Sequence, residues 1–175
     1  MKKYLVLLLV SVISLALLSC ENEDAGSANH NEADINGVWN LTALEATNGR
    51  SEVMADGESV VGEFEAIGKD FDLTVDFNTD PNTVESQGGY TTVLTTTILG
   101  ETTTQEEEGE DFFGSTEWRL DGNILYFGTG NEEVGFTVVN LTDGQMDLQF
   151  DLNESEEALG FSVNVSARYN MRLTR

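Results

Sequence analysis

Apolar and polar residues alternate along most of the chain from Ile35 onward. In the clearest run, the apolar residues from Phe71 to Phe77 are separated by aspartate and threonine. The same alternation extends over residues 145–152 and, over the longest distance, over residues 161–174. A period of two places apolar side chains on one face of a strand and polar side chains on the other. The pattern therefore predicts antiparallel sheet with one dry face and one solvated face.

Nine segments carry this strand pattern, and none carries a convincing helical stripe. They are residues 37–46, 59–67, 71–78, 89–99, 115–120, 123–127, 133–141, 145–152 and 161–174. Asp121-Gly122 and Asp143-Gly144 lie between apolar runs and are typical of tight hairpin turns. Residues 154–159 could form one helical turn at most. Short connections predict an all-β fold, an antiparallel up-and-down β-barrel of eight to ten strands, because a meander is stable alone when its sheet closes.

A different pattern occupies the N-terminus, where Lys2 and Lys3 precede an apolar run over residues 4–18. This run is shorter than the about 20 residues of a membrane-spanning helix and is typical of a secretory signal peptide. The next stretch, residues 20–34, has no aromatic or branched apolar residue and cannot order itself. We therefore expect a signal peptide at 1–19, an acidic flexible tether at 20–34 and one folded domain at 35–175.

The end of the apolar run, Leu17-Leu18-Ser19-Cys20, resembles the lipobox of bacterial lipoproteins. The resemblance implies cleavage before Cys20 and attachment of acyl chains, such as palmitate, to that residue. The acidic residues Glu21, Glu23 and Asp24 resemble the surface-export signal of lipoproteins from the Bacteroidetes group. These resemblances imply an outer membrane lipoprotein, lipid-anchored through Cys20 and displayed on the cell surface. The alternative is that the anchored domain faces the periplasm.

The chain is strongly acidic, with a formal net charge of −24. This charge repels nucleic acid and a bare anionic membrane surface, which excludes nucleic-acid partners and leaves the acyl chains as the means of attachment. The acidity has two alternative explanations, which are adaptation to a salty environment and cation binding. The only cysteine is Cys20 and the only histidine is His30, in the tether. We therefore expect no disulfide, no metal site, no cofactor and no enzymatic activity.

Two short motifs in the folded domain carry a family resemblance, one in the first predicted strand and one in the hairpin before the penultimate strand. Gly37-Val38-Trp39, followed by Leu41, resembles the first signature of lipocalins, and Thr142-Asp143 resembles the second. In that family the tryptophan fills the closed end of the barrel and an arginine near the last strand lies over it. Arg168 and Arg172 are the candidates for that arginine, although both fall on the polar face of the last predicted strand. The resemblance to lipocalin-like domains of Bacteroidetes lipoproteins implies a barrel that holds one small molecule.

Large aromatic residues are the candidates for lining a ligand pocket in such a barrel. They are Trp39, Phe64, Phe71, Phe77, Tyr90, Trp118 and Tyr126. A barrel of about eight strands also needs large residues simply to fill its interior, so core packing is the alternative for each of them. The acidic segment 101–114 predicts a solvated loop or a flap, in which Phe112 and Phe113 cover the barrel mouth.

Two functional hypotheses follow from these observations. In the first, the barrel binds a small apolar or amphipathic ligand outside the cell. In the second, the barrel is fully packed, and the domain is a non-enzymatic docking or structural module that contacts another envelope protein.

Overall fold

The computed structural model describes residues 30–55, 58–110, 113–130, 133–158 and 161–175. It is 78% strand and 4% helix, which confirms the all-β class. The elements are a short helix α1 (Glu32–Ile35) and the strands β1 (Gly37–Ala55), β2 (Glu58–Lys69), β3 (Thr74–Asn78), β4 (Thr83–Gln87), β5 (Gly89–Ile98), β6 (Glu101–Glu110), β7 (Ser115–Asp121), β8 (Ile124–Phe127), β9 (Val134–Leu141), β10 (Gln145–Ala158) and β11 (Phe161–Thr174). Within these ranges no helix has the length and apolarity that crossing a membrane requires.

Eight strands close into an antiparallel barrel in the order β1-β3-β4-β7-β8-β9-β10-β11, with β11 pairing back onto β1. This confirms the predicted barrel. Residues 37–40 of β1 pair with β3, whereas residues 45–55 pair with β2. Register shifts near residues 47–49 interrupt both the β2 and the β11 ladders of β1, and Asn48 has a φ of 53°. Because a bulge bends its strand, this position marks where β1 passes out of the barrel.

The sheet continues beyond the barrel as a layer that we call the wing. It consists of β2, β5 and β6 with residues 50–55 of β1, 153–158 of β10 and 161–166 of β11. These six segments lie in the order β10-β11-β1-β2-β5-β6. In the part of the chain that the structure describes, β6 makes extensive contact with β5 alone, and residues 101–108 are exposed. The wing is therefore a single layer.

One hydrophobic cluster fills the barrel, and aromatic rings form its centre. The rings of Phe77 and Trp118 meet edge to face with centroids 5.7 Å apart. Phe127 packs against Phe113 at 4.6 Å and against Phe136 at 5.3 Å. The other fully buried large side chains are Ile35, Trp39, Leu41, Leu73, Val75, Val84, Leu125, Met146, Leu148 and Leu173. The barrel is therefore a packed core.

The residues next to the tether close one end of the barrel. Ile35 of α1 is fully buried, and its carbonyl accepts a hydrogen bond of 2.7 Å from the indole N–H of Trp39. The guanidinium of Arg175 lies 4.2 Å from the ring centroid of Trp39 and donates to the carbonyl of Asn36 at 2.8 Å. This contact combines cation–π attraction with a charge-assisted hydrogen bond.

The arginine that faces Trp39 is thus Arg175, and the choice of Arg168 and Arg172 was wrong. Arg168 makes a bidentate contact with Asp151, and Arg172 donates to Asp147 at 2.7 Å. Both arginines lie on the outer face, as their parity in the last strand requires, because side chains alternate between the two faces.

The predicted alternation and hairpins are confirmed where they belong to the barrel. Leu73, Val75 and Phe77 are buried, as are Met146 and Leu148. A turn at Gly122-Asn123, one residue later than predicted, joins β7 to β8, and Gly122 has a φ of 62°. The turn that contains Asp143-Gly144 joins β9 to β10. Residues of alternating polarity therefore formed the expected two-faced strands.

Three further sequence expectations were wrong, and all concern the assignment of polar strands. Residues 101–110 form β6 instead of a loop, and β10 continues through residues 154–158 where one helical turn had been allowed. The short strand β4 was missed. In β6 and the distal part of β10 neither face needs to be apolar, since neither is covered by a second layer. The alternation signal is therefore weak there although the backbone is fully paired on one side.

Candidate functional site

The inner face of the wing continues the barrel interior into solvent. On β11, Val163 has the same parity as Met171 and Leu173, which are buried in the barrel. Because directly paired residues on neighbouring strands share a face, the register places Val53 and Val60 beside Val163. The apolar residues of the inner face are Val53, Val60, Phe64, Leu94, Ile98, Phe161, Val163 and Val165. None of them is buried.

Three alanines connect the inner face to the barrel core. Ala46, Ala66 and Ala167 are buried and form a small cluster of their own. Phe64, Leu94 and Tyr169 pack against these alanines and remain partly exposed. Since the alanines are covered by larger side chains, the surface above them is formed by the Phe64 and Tyr169 rings and by Leu94.

Two glycines allow large side chains to lie flat on the inner face. Gly49 pairs with Phe64, and a Cβ at position 49 would come within 2.5 Å of the phenyl ring. Gly62 pairs with Ile98, and a Cβ there would lie 3.0 Å from the Ile98 side chain and 2.9 Å from the hydroxyl of Ser51. A large residue paired across strands with glycine covers backbone that would otherwise be exposed. Phe64 and Ile98 therefore make the inner face continuous.

Ionisable groups border the inner face on the β10 and β5 sides. Partial burial raises the pKa of the Tyr90 hydroxyl, and nearby Tyr169 adds to the rise. Burial likewise raises the pKa of Tyr169, with a further contribution from Glu154. The pKa of Glu154 lies above its ordinary value because of burial and the neighbouring carboxylate of Glu156. The inner face is thus apolar in its middle and bordered by hydroxyl and carboxyl groups.

The outer face of the wing is more polar, and its exposed apolar side chains are Met54 and Ile67. Lys69 donates to Glu106 at 2.8 Å, and threonine hydroxyls pair across β5 and β6. A shallow depression of about 290 Å³ on this side is lined mainly by the polar residues Arg50, Glu52, Asn153, Ser155, Asn164 and Ser166. Among the described residues no group of three or more histidine, cysteine, aspartate or glutamate side chains is arranged to hold a metal ion.

The aromatic residues chosen from the sequence fall into three environments. Trp39, Phe77 and Trp118 are at most 2% exposed in the barrel core. Phe71 and Tyr90 are half-buried at the junction of barrel and wing, with ring centroids 6.4 Å apart, and Phe64 lies on the inner face. Tyr126 lies on the outside of the barrel, where the guanidinium of Arg119 is 3.8 Å from its ring centroid. Only Phe64, Phe71 and Tyr90 therefore lie near the inner face.

Of the two phenylalanines that the sequence predicts to form a flap, the structure describes Phe113 only. Phe113 is 8% exposed and packs in the barrel core against Phe127 and Phe136. Phe112 lies outside the described residues. The position of Phe113 makes it a part of the core, since the side chain is enclosed by other rings.

Sequence reasoning missed Leu94, Ile98, Val163, Val165 and Tyr169 as members of a surface. Alternation in residues 161–174 assigns Val163, Val165 and Tyr169 to one face, so a signal for these three was present. The alternation does not show that half of this face has no covering layer.

Comparison with protein-family models, with curated proteins and with solved structures finds no match.

Proposed function

We propose that this protein is a non-enzymatic outer-membrane lipoprotein that holds a small apolar or amphipathic molecule on the inner face of its wing. The observation that carries the proposal is the partly exposed apolar surface that leads out of the barrel core. The barrel interior offers less, because large buried side chains occupy it. The filled interior therefore supports a ligand site on the wing in preference to one inside the barrel.

The size of the inner face favours a small ligand over a large partner. The apolar middle of the inner face runs from β11 through β1 and β2 to β5, and three strand spacings of about 4.8 Å with about six residues along each strand give roughly 300 Å². A stable protein interface buries about 800 Å² on each side. The apolar middle is smaller than such an interface but large enough to cover one side of a small amphipathic molecule.

The border of the inner face suggests how a polar group of the ligand would be held. The hydroxyls of Tyr90 and Tyr169 are neutral near pH 7, since burial raises the pKa of each. Glu154 lies beside Tyr169 and supplies a carboxylate at the β10 margin. A ligand with an apolar body and a hydrogen-bonding or cationic head would match this arrangement, because its body would cover apolar area while its head met a polar partner.

The proposed anchor is consistent with the position of the wing. The tether joins the domain at α1, beside the closed end of the barrel, whereas β1 carries the chain from there to the tip of the wing over 19 residues. At about 3.3 Å per residue this is a path of up to about 60 Å. Acyl chains on Cys20 would thus hold the closed end near the membrane and leave the inner face at a distance from it.

A solvatochromic apolar dye tests the ligand site. We use the Cys20→Ser variant, which carries no acyl chain, and expect a saturable gain in dye fluorescence. Leu94→Asp on the inner face should abolish the gain, because a carboxylate replaces apolar surface at the junction. Val93→Asp is the matched control on the outer face of the same strand and should leave dye binding unchanged. Absence of a saturable gain, or equal loss in both variants, would contradict the proposal.

The filled barrel also favours a second candidate function, which is docking of another envelope protein. In this case the barrel serves as a rigid support and the acidic outer face of the wing contacts the partner. Crosslinking in intact cells separates the two candidates, since docking predicts a defined adduct at wing positions that persists when the dye site is blocked by Leu94→Asp.

A further inference from the structure

Strand β6 is the last strand of the sheet, and one of its two edges is open. All ten of its residues pair with β5, from Glu101 opposite Ile98 to Glu110 opposite Gly89, with no register shift. In the described chain no strand pairs with the other edge. A strand in this position presents a row of unpaired backbone N–H and C=O groups to solvent. The row is as long as a typical strand and is uninterrupted by proline or a bulge.

We propose that the free edge of β6 binds an extended, lysine- or arginine-rich segment of a partner protein as an additional strand. Backbone hydrogen bonds along the edge supply the affinity in this mode of recognition, and side chains select the partner. The proposal is independent of the ligand site, because it uses the edge of the wing and not its inner face.

The side chains of β6 determine which segment fits the edge. Glu106 and Glu108 lie on the outer face and Glu107 on the inner face, so acidic residues border the edge on both sides. Among the described residues the ion pair made by these three carboxylates is that of Glu106 with Lys69, at 2.8 Å. Side chains on adjacent strands lie about 5 Å apart, where opposite charges attract and like charges repel. Basic side chains on the added strand would therefore be paired on either face.

The same charges disfavour pairing of the β6 edge with the β6 edge of a second copy of this chain. Pairing two β6 edges would bring glutamates opposite glutamates or beside them, and each chain has a formal net charge of −24. Charged residues on an exposed edge are a common means of preventing such self-association. Because the β6 edge repels the β6 edge of a second copy, it remains available to a basic segment.

The two halves of β6 differ, and the difference indicates where the basic residues lie. Near the turn to β5, the hydroxyls of Thr97 and Thr102 are 2.9 Å apart and those of Thr95 and Thr104 are 3.4 Å apart. This half is uncharged apart from Glu101. The basic residues of the partner should therefore be concentrated opposite residues 106–108.

The test uses the full chain in a nonionic detergent and a labelled ten-residue peptide of threonine with three consecutive lysines, so that lysine side chains lie on both faces of the added strand. We expect saturable binding by fluorescence anisotropy, weakened at least tenfold when salt rises from about 0.05 M to about 0.5 M, because the charges are exposed. The double substitution Glu107→Lys and Glu108→Lys should weaken binding at least tenfold while it leaves the Lys69–Glu106 pair in place. Glu156→Lys with Glu157→Lys, on the opposite edge of the wing, is the matched control and should change the affinity less than twofold.

Two N-methylated peptides distinguish strand addition from simple charge attraction. N-methylation of alternate residues removes the N–H donors on one side of an extended peptide, and the two patterns remove opposite sides. Strand addition predicts that one pattern abolishes binding and the other retains it. Equal binding of both patterns, absence of binding by the unmodified peptide, or an equal loss in the β10 control variant would overturn the proposal.

Discussion

The barrel and the wing share strands β1, β10 and β11 and the same alternation, yet only the barrel has a core. Along β11, Ala167, Met171 and Leu173 are at most 6% exposed in the barrel, whereas Phe161 in the wing is 50% exposed. The polar face of both regions is solvated. The difference shows that alternation specifies which residues share a face, while closure of the barrel decides whether that face is covered.

Replacing the same residue type in the two regions should give the largest difference in stability. Phe77→Ala removes a fully buried ring that contacts Trp118 and Phe127, so we expect a loss of about 3–5 kcal/mol in the free energy of unfolding. Phe161→Ala removes a half-exposed ring and should cost under about 1 kcal/mol. Chemical unfolding of both variants measures the difference. Similar losses would show that the wing is covered in solution.

Arginines at the closed end and at the outer face offer a second comparison. Arg175→Ala removes the cation–π contact with Trp39 and the hydrogen bonds to the carbonyls of Asn36 and Asp34. We expect a loss of about 1–3 kcal/mol and a change in the near-ultraviolet dichroism of tryptophan.

The control for this prediction is Arg168→Ala. Its ion pair with Asp151 joins side chains that are about half exposed, so its loss should cost about 0–1 kcal/mol. A larger loss for Arg168→Ala than for Arg175→Ala would contradict the assignment of Arg175 as the residue that closes the barrel.

Two carboxylates should respond to pH in opposite directions, with the smallest effects. Partial burial alone would raise the pKa of Asp147, but hydrogen bonds from Arg172, Gln145 and Asn140 outweigh it and hold the pKa below its ordinary value. Its stabilising contribution is therefore present above the pKa of the unfolded chain and is lost as the pH falls through the folded value. Asp147→Asn should destabilise the protein near pH 7 by under about 1 kcal/mol and have less effect in acid, below the folded pKa of Asp147.

Glu154 at the margin of the wing has the reverse behaviour. Burial and Glu156 raise its pKa, so folding favours the protonated form, and the stability gained at low pH is lost as the pH rises through the folded value. Glu154→Gln should therefore leave stability near pH 7 unchanged or raise it by a few tenths of a kcal/mol. Unfolding curves of each variant against the parent, at matched pH, measure both effects. A destabilised Glu154→Gln protein at pH 7 would contradict the assignment.

The sequence predicted the barrel better than the candidate site, for a physical reason. In residues 73–77 and 145–148 each apolar residue is buried in the structure, so alternation in the sequence reflects burial in the fold. Strand β6 has exposed residues on both faces at positions 101–108, and no apolar period marks it. Its place in the sheet depends on pairing with β5, which composition does not reveal.

The arginine over Trp39 shows the same limit at a single residue. Arg175 has the parity of Leu173, so alternation assigns it to the side of Trp39, but it follows the last residue of β11. Arg168 and Arg172 were closer to the expected position along the strand and lay on the wrong face. Parity was the better guide because side-chain direction in a strand is fixed by the backbone.

The amino-acid sequence by itself determined the all-β class, the hairpin turns and the two-faced character of most strands, because these depend on neighbouring residues. Only the tertiary structure decided that β1 is shared between a closed barrel and an open wing. That division rests on pairing β1 with β11 across more than a hundred residues, together with the bulge near Asn48. Such pairing depends on contacts between segments that are far apart in the sequence. Local alternation does not show which apolar faces these contacts will bury.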